Sequence, residues 1–368
     1  MIMPQHTNEW PVPQISLKRA ADFLKKCKNL APTVIASHSD ADGLCSGVLM
    51  LRTLQRLEHS GPSLLITGKG EHVHDETFRQ KILSHSPRSL IVLDMGSRGE
   101  PICAGLPTLL VDHHQPRGFP PGAVVLSSFG IEPVVPASYL AYMLARCVAD
   151  VSDLNWLALI GSVGDLGSKL PIPELLPLLK VYGQKSVTEA VALLNAARRS
   201  GNHQAASALS VLLAAQKPSD ISMDSTPGVD ALRACRSEVQ DELGRCLKVA
   251  PKFSGTQRVA LLRFSSPAQI HPLIATRWAR SLAKYIVIAA NDDYLPGRVN
   301  FSVRTATGEN LVDFLRKSLP DSDALGEFGY GHANATGGSL SKADFQRFLD
   351  ALGFNVVPQR AKRAGSSK

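Results

Sequence analysis

Hydrophobic positions along the chain follow two different rhythms. Short, wholly apolar runs at Thr33–Ala36, Ser63–Thr67, Leu90–Leu93 and Thr108–Val111 have the length of buried strands. Between and around them the apolar residues recur at helical spacing: 17–29, where Leu17, Ala20, Ala21, Phe23 and Leu24 sit among lysines, then about 43–57 and 74–83. Helical patterns dominate afterwards, at 137–149, 154–162 and several times between 173 and 215. Alternation of strand and helix predicts a parallel sheet covered on both faces. The turn-forming stretch 216–228, with its Lys-Pro, Ser-Asp and Thr-Pro-Gly steps, marks a boundary. Beyond it the pattern predicts a helix at 229–247, strands at 258–264, 285–290 and 298–304, helices at 270–283 and 311–318, a glycine-rich loop, and a closing helix at 341–352. The fold class is therefore α/β: a parallel-sheet N-terminal domain (1–215), a linker (216–228) and a smaller α/β C-terminal domain (229–355).

Composition adds little to this picture and removes some alternatives. With 368 residues, 44% of them hydrophobic and 20% charged, the chain can bury two cores. No apolar run approaches the roughly 18 residues of a membrane span. The N-terminal stretch MIMPQHTNEWPVP has no basic head followed by an apolar core, so a secretory signal is not expected. Six scattered cysteines suggest neither a disulfide framework nor a zinc knuckle, and reduced thiols fit a cytoplasmic protein best. The net charge of +8 is uneven: residues 1–200 carry +2, residues 201–368 carry +6, and the final RAKRAGSSK alone supplies +4. Half of the excess thus belongs to a short basic tail (356–368), expected to be disordered.

The ends of the predicted strands carry the chemistry. ASHSDADG places His38, Asp40 and Asp42 at alternate positions after the first strand; VLDMGS ends in Asp94; LLVDHHQP offers Asp112, His113 and His114; LIGSVGDLGS places Asp165 after a small-residue turn. Residues two apart on an extended chain point the same way, so His-x-Asp-x-Asp can aim three ligands at one edge. One aspartate after a strand is usually a cap or a turn former. Five of them with three imidazoles, at an edge where α/β sheets bind their ligands, point to hard divalent cations.

These segments resemble the four signature segments of the DHH phosphoesterase family, and GYGHANATGG at 329–338 is similar to the glycine-histidine loop of the DHH-associated C-terminal domain. The tight spacing of HSDADG is similar to that of RecJ-like exonucleases and their archaeal relatives more than to nanoRNases. The resemblance implies two divalent cations, Mn²⁺ preferred and Mg²⁺ allowed. It implies that His38 and Asp40 hold one ion, that Asp42, His113 and Asp165 hold the other, and that Asp94 bridges them. Asp112 would orient an adjacent imidazole and His114 would face the scissile phosphate. Substrate would be held by Arg304, Gly331, His332, Gly337 and Gly338. In place of the three glycines common before that histidine, Gly329 and Gly331 flank Tyr330 here.

The implied function is a metal-dependent exonuclease on single-stranded DNA, RNA or short oligonucleotides. The alternatives are a dinucleotide or cyclic-dinucleotide phosphodiesterase and, from another class, a non-catalytic replication scaffold. A long strand needs a basic, aromatic-lined channel. Aromatic residues make up only 6% of the chain, which favours short substrates. The partners compatible with this are single-stranded nucleic acid, a second copy of the chain, or a replication or repair protein, and no membrane.

Overall fold

The structure, a computed structural model, describes residues 10–168, 170–319 and 328–355; the basic tail lies outside the described residues, as do the side chains of residues 330–332. Tertiary contacts divide the chain into two units, residues 1–238 and 239–368.

In the first unit five strands, β1 (Thr33–Ser37), β2 (Ser63–Ile66), β3 (Ser89–Leu93), β4 (Thr108–Asp112) and β5 (Val124–Ser127), form one parallel sheet in the order β2-β1-β3-β4-β5. Every residue of β1, β3 and β4 is buried, as an all-parallel sheet with helices on both faces requires. Successive side chains divide between the two layers. Ile35, Ile91, Leu93, Leu109 and Val111 join the larger core beneath the helices Ala41–Arg56, Ala137–Arg146 and Asn155–Leu166. Val34, Ala36, Leu90, Val92 and Leu110 join Phe78 and Ile82 of the helix Glu76–Ser84 on the other face. The registers Ser37↔Leu93 and Leu93↔Val111 bring the carboxyl ends of β1, β3 and β4 level, and the loops that follow them therefore meet at one edge.

The second unit has a mixed sheet of β6 (Lys252–Phe253), β7 (Val259–Phe264), β8 (Ile286–Asn291), β9 (Arg298–Thr305), β10 (Phe328–His332) and β11 (Ala335–Ser341), in the order β10-β11-β9-β8-β7-β6. Only β7 and β8 are parallel, and the helix His271–Ser281 lies between them in the chain, as a parallel crossover demands. Phe301, Phe328, Phe345 and Phe348 pack ring on ring on one face of this sheet.

The α/β class expected from the pattern is the class observed. Three details differ from the sequence reading. The edge strands β5 (VVLS, mostly half-buried) and β6 (two exposed residues) are too short to stand out in the pattern, and the sequence reading did not include them. The expected glycine-rich loop is an antiparallel hairpin, β10–β11, in which Gly337 pairs with Ser302 and Gly338 with Phe301. The stretch 216–228 contains a one-turn helix, Pro218–Ser222, whose Ile221 is buried in the first core; the units divide within the helix Val229–Cys246, which gives Val229 and Leu232 to one core and Val239 and Cys246 to another.

Gly337 has a structural explanation in its own right. A Cβ there would stand 2.3 Å from the Phe301 carbonyl oxygen of the neighbouring strand. Gly337→Ala is expected to force β11 off β9 and to lower stability by about 1–3 kcal/mol, the usual cost of overpacking. Urea unfolding checks this: an alanine variant as stable as wild type would show that strand approach does not constrain this position.

Candidate metal centre

His38 follows β1 directly, and its backbone N–H donates to the Leu93 carbonyl at 3.2 Å, which fastens it beside Asp94. Asp40 is the N-cap of the helix Ala41–Arg56 and accepts the Gly43 N–H at 3.0 Å. Asp42 is already in the first turn of that helix. A helical turn therefore delivers it, not the strand alternation expected from the sequence. Its carboxylate accepts the N–H groups of Ala137 (2.8 Å) and Ser138 (3.0 Å) at the start of another helix, where the helix dipole favours an anion.

Asp94 directly follows β3 with a φ of +62°, a left-handed conformation that costs a residue with a side chain roughly 1–2 kcal/mol. The Asp112 carboxylate accepts the N–H of His113 (2.7 Å) and that of His114 (3.2 Å), and pairs with the His114 ring Nδ1 at 2.8 Å. Asp165 lies near the C-terminal end of the helix Asn155–Leu166, not after a turn. The glycines read as turn formers serve close packing instead: a Cβ on Gly161 would stand 2.3 Å from Ser138 Oγ and 2.9 Å from Asp42 Oδ1.

All eight expected residues of the first unit meet in one constellation. Two tight donor groups form, one of His38, Asp40 and Asp94, the other of Asp94, Asp112, His113 and His114. Asp94 belongs to both. His38 Nδ1 is 3.0 Å from Asp40 Oδ2 and 3.3 Å from Asp94 Oδ2; His113 Nε2 is 3.2 Å from Asp94 Oδ1 and 3.9 Å from Asp42 Oδ2. On its other side His113 Nδ1 faces Asp165 Oδ2 at 3.6 Å.

No protein-family model matches the chain, and no curated protein does either. Solved structures do. Exonuclease RecJ bound to manganese superposes with a TM-score of 0.64 at 19% identity, over 92% of this chain and 93% of its own. RecJ from Thermus thermophilus in complex with Mn²⁺ gives 0.68 at 18% identity, over 93% of this chain and 55% of its own, so this chain spans about half of that longer protein. The DHH domain of a member of a ribosomal-protein family gives 0.67 at 14% identity, over 92% and 90%. The fold is that of the RecJ-like DHH proteins.

Within this RecJ-like fold the donor set fits a hard divalent cation. Two donors at right angles, each about 2.1 Å from an ion, lie about 3 Å apart. His38 Nδ1 and its two carboxylate neighbours have that spacing, yet Nδ1 is buried and makes no hydrogen bond with either. Atoms that converge without bonding to one another are arranged around a common point.

Electrostatics agrees. Burial, with the charges of Asp94 and Asp165, pushes the Asp42 carboxyl well above the usual range. Asp165 is raised by burial as well, and the charges of Asp94 and Asp40 add to it. Burial works against the charged form of both imidazoles, but Asp40 and Asp94 lift His38 to about 9, and Asp94, Asp165 and Asp42 lift His113 to about 10. Without metal, protonated imidazoles would offset part of this negative charge.

The sequence reading missed Asn195 and Arg198. Asn195 Oδ1 accepts the Ala41 N–H at 3.1 Å, and Arg198 Nη1 lies 3.7 Å from Asp40 Oδ2. The available signal was a polar pair three residues apart that closes the apolar segment VALLNAA. The residues expected to hold substrate lie in the second unit. Arg304, on β9, donates to the carbonyls of Val303 (2.9 Å) and Thr336 (3.1 Å) and has no carboxylate partner among the described residues. Gly331 pairs with Thr336 in the hairpin, and the His332 side chain lies outside the described residues.

The raised imidazoles fix a pH dependence. Their pKa values in the folded chain, about 9 and about 10, exceed the unfolded value of 6.5. Their stabilisation is therefore complete below about pH 6.5 and is lost as pH rises through 9 to 10. Chelator-treated protein should lose thermal stability between pH 6.5 and 9, and Mn²⁺ should cancel most of that loss and bind more tightly as pH rises, because its binding displaces protons. Thermal unfolding with and without Mn²⁺ checks this; a metal effect that shrinks with rising pH would contradict it.

Proposed function

We propose that this chain is a metal-dependent phosphodiesterase, an exonuclease acting on single-stranded DNA or RNA or on short oligonucleotides. The observation that carries the reading is Asp94, which is shared by both donor groups. In this reading His38 and Asp40 would hold one ion and His113 with Asp42 and Asp165, whose carboxylates lie 3.9 Å and 3.6 Å from its two ring nitrogens, would hold a second, with Asp94 serving both. Mn²⁺ suits a set that mixes imidazole with carboxylate. Bound there, a pair of divalent cations would supply an activated water at neutral pH and neutralise charge on the phosphoryl group. RecJ, with which this chain shares its fold, is an exonuclease that binds manganese, and this supports the choice of reaction.

The protein's own residues divide the remaining work. Asp112 fixes the His114 ring through the 2.8 Å contact at Nδ1, leaving Nε2 to meet a phosphoryl oxygen. The helix dipole and the two N–H groups on Asp42 keep that carboxylate in place while ions come and go. Arg304 is the phosphate donor of the second unit. Burial draws its pKa down to about 10, so it stays charged at neutral pH, and it lacks a carboxylate to neutralise it. Gly331, His332, Gly337 and Gly338 complete the proposed contacts to substrate, with Gly337 under the additional constraint of strand packing.

End-labelled 5-mers and 30-mers of DNA and RNA with Mn²⁺ test the activity. Asp94→Ala should fold and should lose hydrolysis by at least about 10²- to 10³-fold, the scale of losing one electrostatic stabiliser. Wild-type turnover by that variant would remove the basis of the reading. Arg304→Ala should lower kcat/KM on oligonucleotides roughly 10- to 150-fold, the loss of one charge-assisted contact, and should affect an aryl phosphodiester less. Equal losses on both substrates would place Arg304 outside substrate recognition.

A further inference from the structure

The stretch 243–291 of the second unit carries eight lysines and arginines in 49 residues, with no aspartate or glutamate among them. A surface that serves only solubility mixes the two signs. Two of the eight are paired with acids that flank the stretch, Arg245 with Glu242 and Arg263 with Asp292. The other six, Lys248, Lys252, Arg258, Arg277, Arg280 and Lys284, are exposed, and their side chains make no hydrogen bond and no ion pair among the described residues. Strand alternation sorts the residues at the amino ends of β7 and β8. Ala260, Leu262, Val287 and Ala289 face the helices Val229–Cys246 and His271–Ser281. Arg258 and Tyr285, two residues before Ala260 and Val287, take the same face, as do Phe253, which pairs with Ala260, and Arg304, which pairs with Val287. Lys252 takes the other face, where a lysine on an edge strand deters pairing with another chain.

An aromatic pair sits at this edge. Phe253 is 50% exposed, and its ring centre lies 5.0 Å from that of half-buried Tyr285, tilted by 55°. The backbone around the pair is fastened. The Ile286 N–H donates to the Arg258 carbonyl and the Tyr285 N–H to the Leu282 carbonyl, both at 2.9 Å. Next to Phe253, the Ser254 hydroxyl donates to the Leu352 carbonyl at 2.6 Å and accepts the N–H groups of Thr256 (3.1 Å) and Gln257 (3.0 Å). Arg280 stands in the last turn of the helix His271–Ser281, and Lys284 directly precedes Tyr285. A ring held half in water beside cations suits a partner with flat apolar faces and a negatively charged backbone. A single nucleic-acid strand has both properties, whereas an acidic polypeptide would answer the cations and leave the rings unused.

We propose that this edge of the second unit is a track for single-stranded nucleic acid, on which bases stack on Phe253 and Tyr285 and phosphates meet Arg258, Arg280 and Lys284. Adjacent strands lie about 4.8 Å apart, so the row from Arg304 on β9 across β8 and β7 to Phe253 on β6 is about 14 Å long. It has room for roughly four nucleotides at 3.4 Å each. The track rests on the phosphoesterase reading in taking Arg304 as a phosphate contact. It deepens that reading by naming the substrate class: strands of several nucleotides, although aromatic residues are scarce in the chain as a whole.

The test uses the full chain with Ca²⁺ in place of Mn²⁺ and a fluorescein-labelled thymidine 12-mer, read by fluorescence anisotropy across a salt series. Phe253→Ala should weaken binding about five-fold or more, the scale of losing one base–aromatic stack, and Phe253→Trp should restore it. Arg258→Ala and Lys284→Ala should each reduce the slope of log affinity against log salt by about 0.7, the loss of one phosphate contact on a single strand. Thermal unfolding and Mn²⁺ titration of these variants should match wild type, which separates a lost contact from a damaged fold. Should Phe253→Ala fail to fold, Phe253→Leu keeps an apolar side chain there without a ring face and should show the same loss. A 12-mer duplex, whose bases are already stacked, should bind more weakly than the single strand, and polyglutamate should compete poorly. Wild-type affinity in the variants that remove the Phe253 ring would overturn the track, as would unchanged salt slopes in the charge variants or no 12-mer binding by the wild type. A duplex that binds as tightly would overturn it too, and polyglutamate that competes as well as unlabelled 12-mer would assign the surface to an acidic protein instead. A wild type that binds the 12-mer through these residues but hydrolyses no strand with Mn²⁺ would sink the phosphoesterase reading and leave the track standing.

Discussion

Five aspartates, Asp40, Asp42, Asp94, Asp112 and Asp165, converge at the carboxyl edge of one parallel sheet, and the surrounding structure is organised around their mutual repulsion. At an effective dielectric constant of about 20, two unit charges 4 Å apart interact by about 4 kcal/mol. Each carboxylate is compensated differently. Asp42 is held by a helix N-terminus, Asp40 by its cap bond and Arg198, and Asp112 by two backbone N–H groups and the His114 ring. Asp94 sits between His38, His113 and His114. Asp165 has only His113 as a counter-charge within 4 Å among the described residues. Protons on the imidazoles balance part of this charge, and divalent cations would balance more of it at higher density, so the same repulsion that strains the metal-free chain provides affinity for ions.

The sheet and the identity of the cluster could be read from the sequence because each depends on local pattern. Residues Thr33–Ser37, Ser89–Leu93 and Thr108–Asp112 are buried on both faces, so their apolar runs are uninterrupted and the acids that end them stand out. The route by which each ligand arrives could not be read, because packing decides it. Asp42 and Asp165 come from helices, and Gly161 is needed for one helix to approach Ser138 and Asp42, a constraint that exists only once three elements meet. Asn195, Arg198 and Arg199 are far from the ligands in sequence and are brought to Asp40 by the same packing.

The second unit was legible in outline for the same reason: the apolar runs of β7, β8 and β9 are strong, whereas β10 and β11 are rich in glycine and read as a loop. Pairing with β9 supplies the strand character that propensity withholds, and it explains Gly337 by close approach to the Phe301 carbonyl. Arg304 lies on that same strand, where its carbonyl acceptors fix its guanidinium without neutralising it.

The central claim is that Asp94 joins two donor groups into one two-ion centre. Electron paramagnetic resonance of chelator-stripped protein titrated with Mn²⁺ tests it most directly, because two manganese ions sharing a carboxylate are magnetically coupled and give a spectrum unlike that of isolated ions. The account predicts saturation at two ions per chain with a coupled spectrum, and in Asp94→Ala the loss of coupling together with weaker binding at both positions. Saturation at one uncoupled ion, or a coupled pair that survives Asp94→Ala, would contradict it.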